Sequence, residues 1–308
     1  MLTKNNDNLN LWLKEVEVNY GTQNKNTTDS ASDIDVEFEQ IYNVKVMNIE
    51  VEIGGKTYRE RQDFTNDEFF KMMEKDGGIP KTSQVTASEY KKAFEDIHNE
   101  GYTDIIVVTI SSTGSGSYNS AIKARESFMA NPENNTTRIH IIDSRNYTGA
   151  YGYPVRQAAL KSYKGSTPEE ILDYLNDWFE TAELYFAPYS LKYVKQSGRV
   201  SKGAAFIGDL LGIKPIIKIA DGDVTTEDKV MGEKNIIPRL VQTADKKMLP
   251  KFPYVLLYGE NKDDCNELAD AMTKKFGYPP EWKCQIGAAV ATNSGPKMLG
   301  VVFKGKKK

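Results

Sequence analysis

The sequence predicts a two-domain α/β protein, with a parallel, doubly wound sheet in the first domain and a mixed α/β arrangement in the second. The chain has 308 residues, 39% of them hydrophobic, which is enough to build two hydrophobic cores. Strand-like and helix-like segments alternate to about residue 162, as in a doubly wound sheet. The pattern then shifts towards strands separated by longer polar turns. We therefore predict domains over residues 23–164 and 165–308, after an N-terminal extension over residues 1–22 that is rich in Asn and Lys.

The first predicted domain begins with TTDSASDI, whose polar residues indicate a turn. The segments that follow are a helix in DVEFEQIY, a strand in VKVMNIEVEI and a hairpin turn in GGKTYRE. TNDEFFKMMEKD is a helix that Thr65 and Asn66 can cap, and the next helix ends at Gly101. DIIVVTI is short and rich in β-branched residues, so it predicts a buried parallel strand. The helix SYNSAIKARESFMA and the buried strand IHIIDS complete the alternation.

The second predicted domain begins with a helix in STPEEILDYLNDWFETA, where Ser166, Thr167 and Pro168 favour a helix start. Its predicted strands are AELYFAPY, KPIIKIADGDVTTEDKV, FPYVLLYGE and CQIGAAVATNSG. Its other predicted helices lie near GAAFIGDLLG, KNIIPRLVQTAD and CNELADAMTKKFG.

Composition and charge argue against several classes of protein. The formal net charge of -3 gives no reason to expect a nucleic acid or a membrane surface as partner. No apolar run approaches the roughly 18 residues of a membrane span, and the N-terminus does not resemble a signal peptide. The two cysteines, Cys265 and Cys284, have no CxxC spacing, which is typical of a reduced, cytosolic protein. We therefore expect a cytoplasmic protein without membrane insertion.

A loop rich in serine and glycine, Ser111 to Gly116, lies between the predicted strand DIIVVTI and the helix that follows. Backbone N–H groups and hydroxyls converge at such a point, and the helix dipole favours a negative charge there. The loop lacks the Gly-Lys-Ser/Thr ending of a Walker A loop, and Asn119 takes the place of the third glycine of GxGxxG. The loop therefore predicts an anion site other than a nucleotide site, although a plain polar turn stays open as an alternative.

A serine nucleophile in this loop would need a base. Ser112 and Ser115 are the candidates, and the chain offers only two histidines, His98 near a helix end and His140 within a buried strand. No cluster of His, Cys, Asp and Glu has the spacing of metal ligands. Catalysis by the serine loop and a bound metal are therefore both disfavoured.

Two further segments can contribute to the same site. PKTSQVTAS precedes the helix that leads into the strand DIIVVTI, so Thr82 and Ser83 can lie near the carboxyl edge of that strand. KQSGRVSKGAAFIGDLLGIKPIIKI combines a cationic turn at Gly198, Arg199 and Lys202 with small residues that can line a slot. A turn with a purely structural arginine is the alternative for this segment.

These segments, in this order, resemble the DegV family of bacterial fatty-acid-binding proteins. The resemblance covers about nine-tenths of the chain and is carried by TTDSASDI, GGKTYRE, IPKTSQ, GYTDIIVVTISSTGSGSYNSA, IIDSRN, VKQSGRVSKGAAFIGDLLGIKPII, ADGDV and ATNSGPKMLGVVF. It implies two α/β domains with one long-chain fatty acid held between them. The expected carboxylate ligands are Thr82 and Ser112, with Ser111 as the second choice, and Ser83, Gly114 and Asn293 are expected nearby.

The resemblance implies a carrier rather than an enzyme, with no cofactor. Better-known members of the family present the acid to a separate ATP-dependent kinase, and Arg199 matches their pattern for a contact with that kinase or its nucleotide. Two departures stand against this role. Asn293 replaces the family's usual histidine, and KVMGEKNII lacks an arginine until Arg239. We therefore expect fatty acid binding to be retained better than phosphorylation of the bound acid. The first alternative to the carrier role is a sensor or storage protein that works without a kinase. The second alternative is an esterase or phosphotransferase that uses the serine loop.

Overall fold

The computed structural model describes residues 24–199 and 212–306. The predicted N-terminal extension over residues 1–22 lies outside these residues, as does nearly all of the predicted helix near GAAFIGDLLG. The strands are β1 (Asn24–Asp29), β2 (Lys45–Met47), β3 (Glu50–Ile53), β4 (Lys56–Arg59), β5 (Lys81–Ser83), β6 (Asp104–Thr109), β7 (Arg138–Asp143), β8 (Ala182–Pro188), β9 (Ile213–Ala220), β10 (Asp223–Met231), β11 (Val255–Tyr258), β12 (Trp282–Gln285) and β13 (Met298–Lys304). The α-helices are α1 (Val36–Ile41), α2 (Asn66–Asp76), α3 (Ala87–Asn99), α4 (Ser117–Met129), α5 (Gly149–Tyr163), α6 (Pro168–Thr181), α7 (Leu191–Ser197), α8 (Ile236–Lys247), α9 (Lys262–Phe276) and α10 (Ala288–Ser294).

The first sheet is parallel, with the strand order β2-β1-β6-β7. All six residues of β6 are buried, as the run of β-branched residues predicts. Helices α3 and α4 pack together, and α5 packs against α6 and β1. The predicted fold class, with a parallel sheet followed by a mixed one, is confirmed.

The prediction of a polar turn in TTDSASDI is wrong for its first three residues, because Thr27, Thr28 and Asp29 belong to β1, an internal strand of the sheet. Ser30–Ser32 does form a turn, a short 3-10 helix. Thr27, Thr28 and Asp29 are fully buried. Threonine is β-branched and suits a strand, and the hydroxyl of Thr28 donates a hydrogen bond to the Val108 carbonyl at 2.9 Å. Thr28 is thus accommodated in the interior because its hydroxyl finds a backbone partner.

A small antiparallel sheet, with the order β4-β3-β5, lies beside the first one. The single strand predicted for VKVMNIEVEI is wrong, because the segment divides into β2 of the parallel sheet and β3 of this one. The predicted hairpin turn is confirmed, and Gly54 and Gly55 occupy it with positive φ angles of 58° and 73°. Strand β5 carries Thr82 opposite Val51 of β3.

The second sheet is mixed and has the order β10-β9-β8-β13-β11-β12. The strand prediction for CQIGAAVATNSG is wrong after Gln285, because Ala288–Ser294 forms α10. Alanine favours a helix, and this one begins where Asp33 and Glu60 accept hydrogen bonds from its backbone. One hydrophobic cluster includes Val107 of the first sheet and Val302 of the second. The domain boundary near Lys164 stays a prediction.

Candidate functional site

A cavity of about 230 Å³ lies between the two large sheets. The segment that follows β6 contributes from the side of the first sheet. Helix α10 and strands β8, β9, β10 and β13 contribute from the side of the second. The apolar side chains of the wall are Ile49, Ile110, Leu184, Phe186, Val194, Ile219, Val224, Ala289, Val290 and Met298. The cavity therefore lies at the carboxyl edge of a parallel sheet, where α/β proteins hold their ligands.

The polar part of the wall comes largely from three loops and strand ends that are distant in sequence. Thr82 and Ser83 come from β5, Gly114 and Ser115 from the loop after β6, and Tyr147 from the loop after β7. The expected convergence of the two hydroxyl clusters is present in the structure. The roles of these residues as ligands stay predictions.

Ser111 and Ser112 are not among the residues that line the cavity. The hydroxyl of Ser112 donates to Asp143, and its backbone N–H donates to Asp143 Oδ1 at 3.0 Å. Ser111 is fully buried, with its Oγ atom 2.9 Å from Thr113 Oγ1. Thr113 in turn donates to the Gly222 carbonyl at 2.9 Å. These side chains fix the loop and tie it to the β9–β10 hairpin.

Ser115 lines the cavity because the loop turns back on itself before reaching it. The backbone N–H groups of Gly114 and Ser115 both donate to the Ser111 carbonyl, at 3.0 and 3.1 Å. This turn directs Ser112 towards Asp143 and places Ser115 at the start of α4. The hydroxyl of Ser115 accepts a hydrogen bond from the Ser117 N–H at 3.2 Å.

Close packing explains the two glycines of the loop. A Cβ atom on Gly114 would lie 2.2 Å from the Tyr147 hydroxyl oxygen, and one on Gly116 would lie 1.9 Å from Gln84 Oε1. Neither glycine has a positive φ angle, so the requirement is for space and not for backbone freedom. Gly114 thus leaves room for Tyr147, a residue that the sequence analysis did not predict.

Tyr147 carries a buried polar group. Its hydroxyl oxygen makes no hydrogen bond to any residue that the structure describes. The loop that carries it is fixed, because the Asn146 carbonyl accepts a hydrogen bond from the Ser111 N–H at 3.0 Å. The sequence offered no signal for this residue, because its neighbours at the cavity come from other loops.

Asn293 and Arg199 also line the cavity. Asn293 lies on α10 and donates through Nδ2 to the Ala289 carbonyl at 3.0 Å, which leaves its Oδ1 atom as an acceptor. Arg199 is exposed, and its Nη1 atom donates to the Ser197 carbonyl at 2.5 Å. Lys202 lies outside the described residues.

Buried carboxylates hold the other end of α10. Asp33 Oδ1 accepts from the Gly287 N–H at 2.9 Å, and Glu60 Oε1 accepts from the Ala289 N–H at 2.9 Å. Burial raises the pKa of Glu60, and burial together with the nearby Glu60 charge raises the pKa of Asp33 well above its usual range. The backbone of α10 thus connects the cavity with the buried carboxyl groups of Asp33 and Glu60.

The chemistry of a serine hydrolase has no support at this cavity. His98 Nδ1 lies 2.8 Å from Thr137 Oγ1, and His140 Nε2 lies 2.9 Å from Asp104 Oδ1, so neither imidazole lines the wall. Burial raises the pKa of the Cys265 thiol to about 12 and that of Cys284 well above its usual range. Residues 24–199 and 212–306 contain no group of three or more potential metal ligands. No helix within the same ranges is long and apolar enough to cross a membrane.

The fold and the cavity define the class of protein. It is an α/β protein with two packed sheets, and a mainly apolar cavity with polar groups at one part of its wall lies between them. A family model described as an uncharacterised protein of the DegV family matches residues 25–306. The chain therefore belongs to the DegV family, as the sequence resemblance indicated.

Relatives of known sequence and structure agree with this assignment. A DegV domain-containing protein of Staphylococcus aureus is 32% identical over 290 residues, covering 91% of this chain and 96% of the relative. A stearic acid-binding protein of Eubacterium ventriosum has a similar structure, with a TM-score of 0.82, 25% identity, and coverage of 92% of this chain and 98% of the other. The fatty acid binding protein DegV of Bacillus subtilis gives a TM-score of 0.78 at 25% identity, covering 93% and 100%.

Proposed function

We propose that this protein binds a long-chain fatty acid in the cavity between its two sheets, shields it from water and presents it to a fatty acid kinase. The observation that supports this most directly is the cavity itself, in which hydroxyl groups cluster at one part of a wall that is mainly apolar elsewhere. An amphipathic ligand with a small polar head and a long apolar tail matches that distribution. The solved relatives described as fatty acid binding proteins support the same ligand class.

The carboxylate head can be held mainly by neutral donors. Thr82 and Ser115 supply hydroxyls, and a hydrogen bond from such a group to a charged acceptor stabilises by roughly 1.5 to 3 kcal/mol. Arg199 is the only lysine or arginine among the described lining residues, and it can balance the charge from the rim. We prefer Ser115 to the expected Ser112 and Ser111, because the hydroxyls of the latter two contact Asp143 and Thr113.

The acyl tail would lie against the apolar wall, for which Leu184, Phe186 and Met298 are representative residues. Each buried methylene contributes about 0.8 kcal/mol, so a long chain supplies most of the affinity and the head group supplies orientation. No cofactor is needed for such a role. The free cysteines Cys265 and Cys284 are compatible with a cytoplasmic location, which is part of the proposal.

The test is native mass spectrometry of the purified protein, followed by solvent extraction and identification of the extracted lipid. We expect one long-chain fatty acid per chain. An extract without fatty acid, together with no binding of labelled palmitate or oleate, would refute the proposal.

A second candidate role, a sensor or storage protein that works without a kinase, is favoured by Asn293. Its neutral amide cannot supply the full charge that an imidazolium would offer to a developing acyl phosphate. This role predicts that the protein retains bound acid in the presence of ATP and a fatty acid kinase. Release of acyl phosphate under those conditions favours the carrier role instead.

A further inference from the structure

One residue of the cavity wall, Tyr147, carries a buried oxygen atom that has no hydrogen-bond partner within residues 24–199 and 212–306. Among the described residues, several buried side-chain nitrogen and oxygen atoms make no hydrogen bond, and the hydroxyl of Tyr147 is the one among them that belongs to the lining. We propose that Tyr147 binds the head group of the ligand by donating its hydroxyl hydrogen to a carboxylate oxygen. This inference rests on the proposed function.

The physical argument starts from the cost of an unpaired hydroxyl. A buried O–H group has lost its hydrogen bonds to water, and without a new partner the folded protein is less stable than one with an apolar group at that position. A ligand that brings an acceptor to this atom removes the penalty at the moment of binding. Tyrosine can donate to a carboxylate, and an ionised acceptor gives a stronger bond than a neutral one.

The position of the ring is fixed by its surroundings. The hydroxyl oxygen lies against Gly114, within 2.2 Å of the place where a Cβ atom would stand, and the ring carbons Cε1 and Cζ lie within 2.8 Å of it. Tyr147 therefore occupies the space next to Ser115, on the polar part of the wall. The next residue, Thr148, has a φ angle of 50°, a strained backbone that the fold maintains beside the cavity.

The main alternative is a bridging water that satisfies the hydroxyl whether or not a ligand is present. The two explanations differ in how removal of the hydroxyl affects binding. If the ligand is the partner, Tyr147→Phe weakens the binding of acids. If a water is the partner, the same substitution leaves the affinity unchanged.

Tyr90 provides a matched control. Its hydroxyl is also buried and has no hydrogen-bond partner in the described part of the chain, yet Tyr90 does not line the cavity. Tyr147→Phe and Tyr90→Phe each delete one unpaired oxygen, so both lipid-free variants should unfold at a temperature equal to or above that of the parent. A loss of affinity confined to Tyr147→Phe then reports on the ligand and not on the packing of the ring.

The experiment measures the dissociation constants of palmitate and of hexadecanol, both delivered from cyclodextrin, for the parent and the two variants. For Tyr147→Phe we expect palmitate to bind about tenfold more weakly and hexadecanol less than about threefold more weakly, since the bond to a charged acceptor is the stronger one. Tyr90→Phe should match the parent with both ligands.

The outcomes separate this inference from the proposed function. If the parent binds palmitate and Tyr147→Phe binds it equally well, the inference is overturned while fatty acid binding stands. Equal losses for palmitate and hexadecanol would also overturn it, because they indicate a change in the shape of the cavity. If the parent binds neither lipid, the proposed function itself fails.

Gly114→Ala offers an independent check, because its new methyl group must displace the Tyr147 hydroxyl. We expect this variant to bind palmitate more weakly than the parent. In the Tyr147→Phe background the same substitution should cost less, and fully additive losses would contradict a role for Gly114 in positioning the hydroxyl.

Discussion

The two ends of α10 contact acidic groups through different kinds of hydrogen-bond donor. At its start, the protein's own carboxylates, Asp33 and Glu60, are buried and accept hydrogen bonds from the backbone of the helix. Near its end, Asn293 faces a cavity whose polar groups are mainly hydroxyls and amides. The carboxyl groups at the start of the helix belong to the fold, and the carboxylate near its end would arrive with the ligand.

The difference follows from what each contact must do. Backbone N–H groups have a fixed position and suit a permanent carboxylate, because that bond need never open. Hydroxyls can rotate and can bond to one another or to water when the ligand is absent, as Ser115 does with Ser117. Loss of a permanent contact should therefore reduce stability, whereas loss of a ligand contact should reduce affinity.

The largest effect is expected for Glu60→Ala. Glu60 is fully buried and accepts from the Ala289 N–H at 2.9 Å and from the Ser30 hydroxyl at 2.5 Å. Two unpaired buried donors at about 1 to 3 kcal/mol each predict a loss of about 3 kcal/mol in the free energy of unfolding. Urea unfolding followed by circular dichroism measures this loss.

The exposed Glu52 on β3 is the control, and Glu52→Ala should change the free energy of unfolding by less than about 0.5 kcal/mol. Glu60→Gln keeps an acceptor oxygen and should fall between the two variants. Equal stability of Glu60→Ala and Glu52→Ala would contradict a structural role for the carboxylate at α10.

The next effect concerns Asp29 and pH. Burial raises the pKa of Asp29 to about 6 from 3.8, while hydrogen bonds from Tyr151 and Ile110 limit the rise. Between these two values the folded protein binds more protons than the unfolded chain, so the Asp29 contribution to stability falls as pH rises and is constant above about pH 6. The rise of about 2 pH units corresponds to about 3 kcal/mol.

The stabilities of the parent and of Asp29→Asn should therefore be compared from pH 4 to pH 7. The parent should lose about 2 kcal/mol of stability relative to the variant across that range, because part of the full difference falls below pH 4. The substitution itself adds a cost that does not depend on pH and leaves this change unaffected. Comparison of the two proteins cancels the contributions of the other titrating groups. A difference that stays constant over this range would show that Asp29 does not titrate there.

The third effect, on affinity, is expected for Thr82→Ala and Ser115→Ala. Each removes a donor to the carboxylate, so the dissociation constant for palmitate should rise about tenfold or more without loss of stability. Ser112→Ala is the comparison, because its hydroxyl contacts Asp143 and should affect stability more than affinity. If Ser112→Ala loses binding and Ser115→Ala does not, the originally expected Ser112 is the ligand.

The sequence was sufficient to predict features that depend on local pattern. The apolar run of β6 predicted a buried parallel strand, and the glycines after β3 predicted a hairpin turn. The cavity's location near Thr82 and the serine loop followed from the order of strands in a parallel sheet. In each case the information lies within a few residues or in the regular geometry of the sheet.

The features that the sequence did not reveal depend on distant partners. α10 is held at its start by Asp33, which precedes Gly287 by 254 positions, so the short segment AAVATNS gave no reliable helix signal. The orientations of Ser112 and Ser115 depend on the turn that closes at Ser111. The place of Tyr147 in the cavity wall depends on the packing of its ring on Gly114, which belongs to a different loop.

The smallest effect on affinity and the clearest effect on function are expected at Asn293. Its Nδ2 atom already donates to the Ala289 carbonyl, so Asn293→His should change palmitate affinity by only a few-fold, on the order of one hydrogen bond to a neutral group.

Acyl-phosphate formation requires the negative charge to be stabilised where the two substrates meet. An imidazolium supplies a full positive charge there, whereas an amide supplies only a dipole. The parent protein, mixed with a fatty acid kinase and ATP, should therefore turn over slowly or not at all, and Asn293→His should turn over faster. Binding between kinase and carrier must be measured in the same experiment, because a kinase from another source can fail to dock. Turnover by the parent as fast as by the variant, with equal docking, would show that Asn293 has only a structural role in the last turn of α10, and that the cavity end of this helix needs no charge of its own.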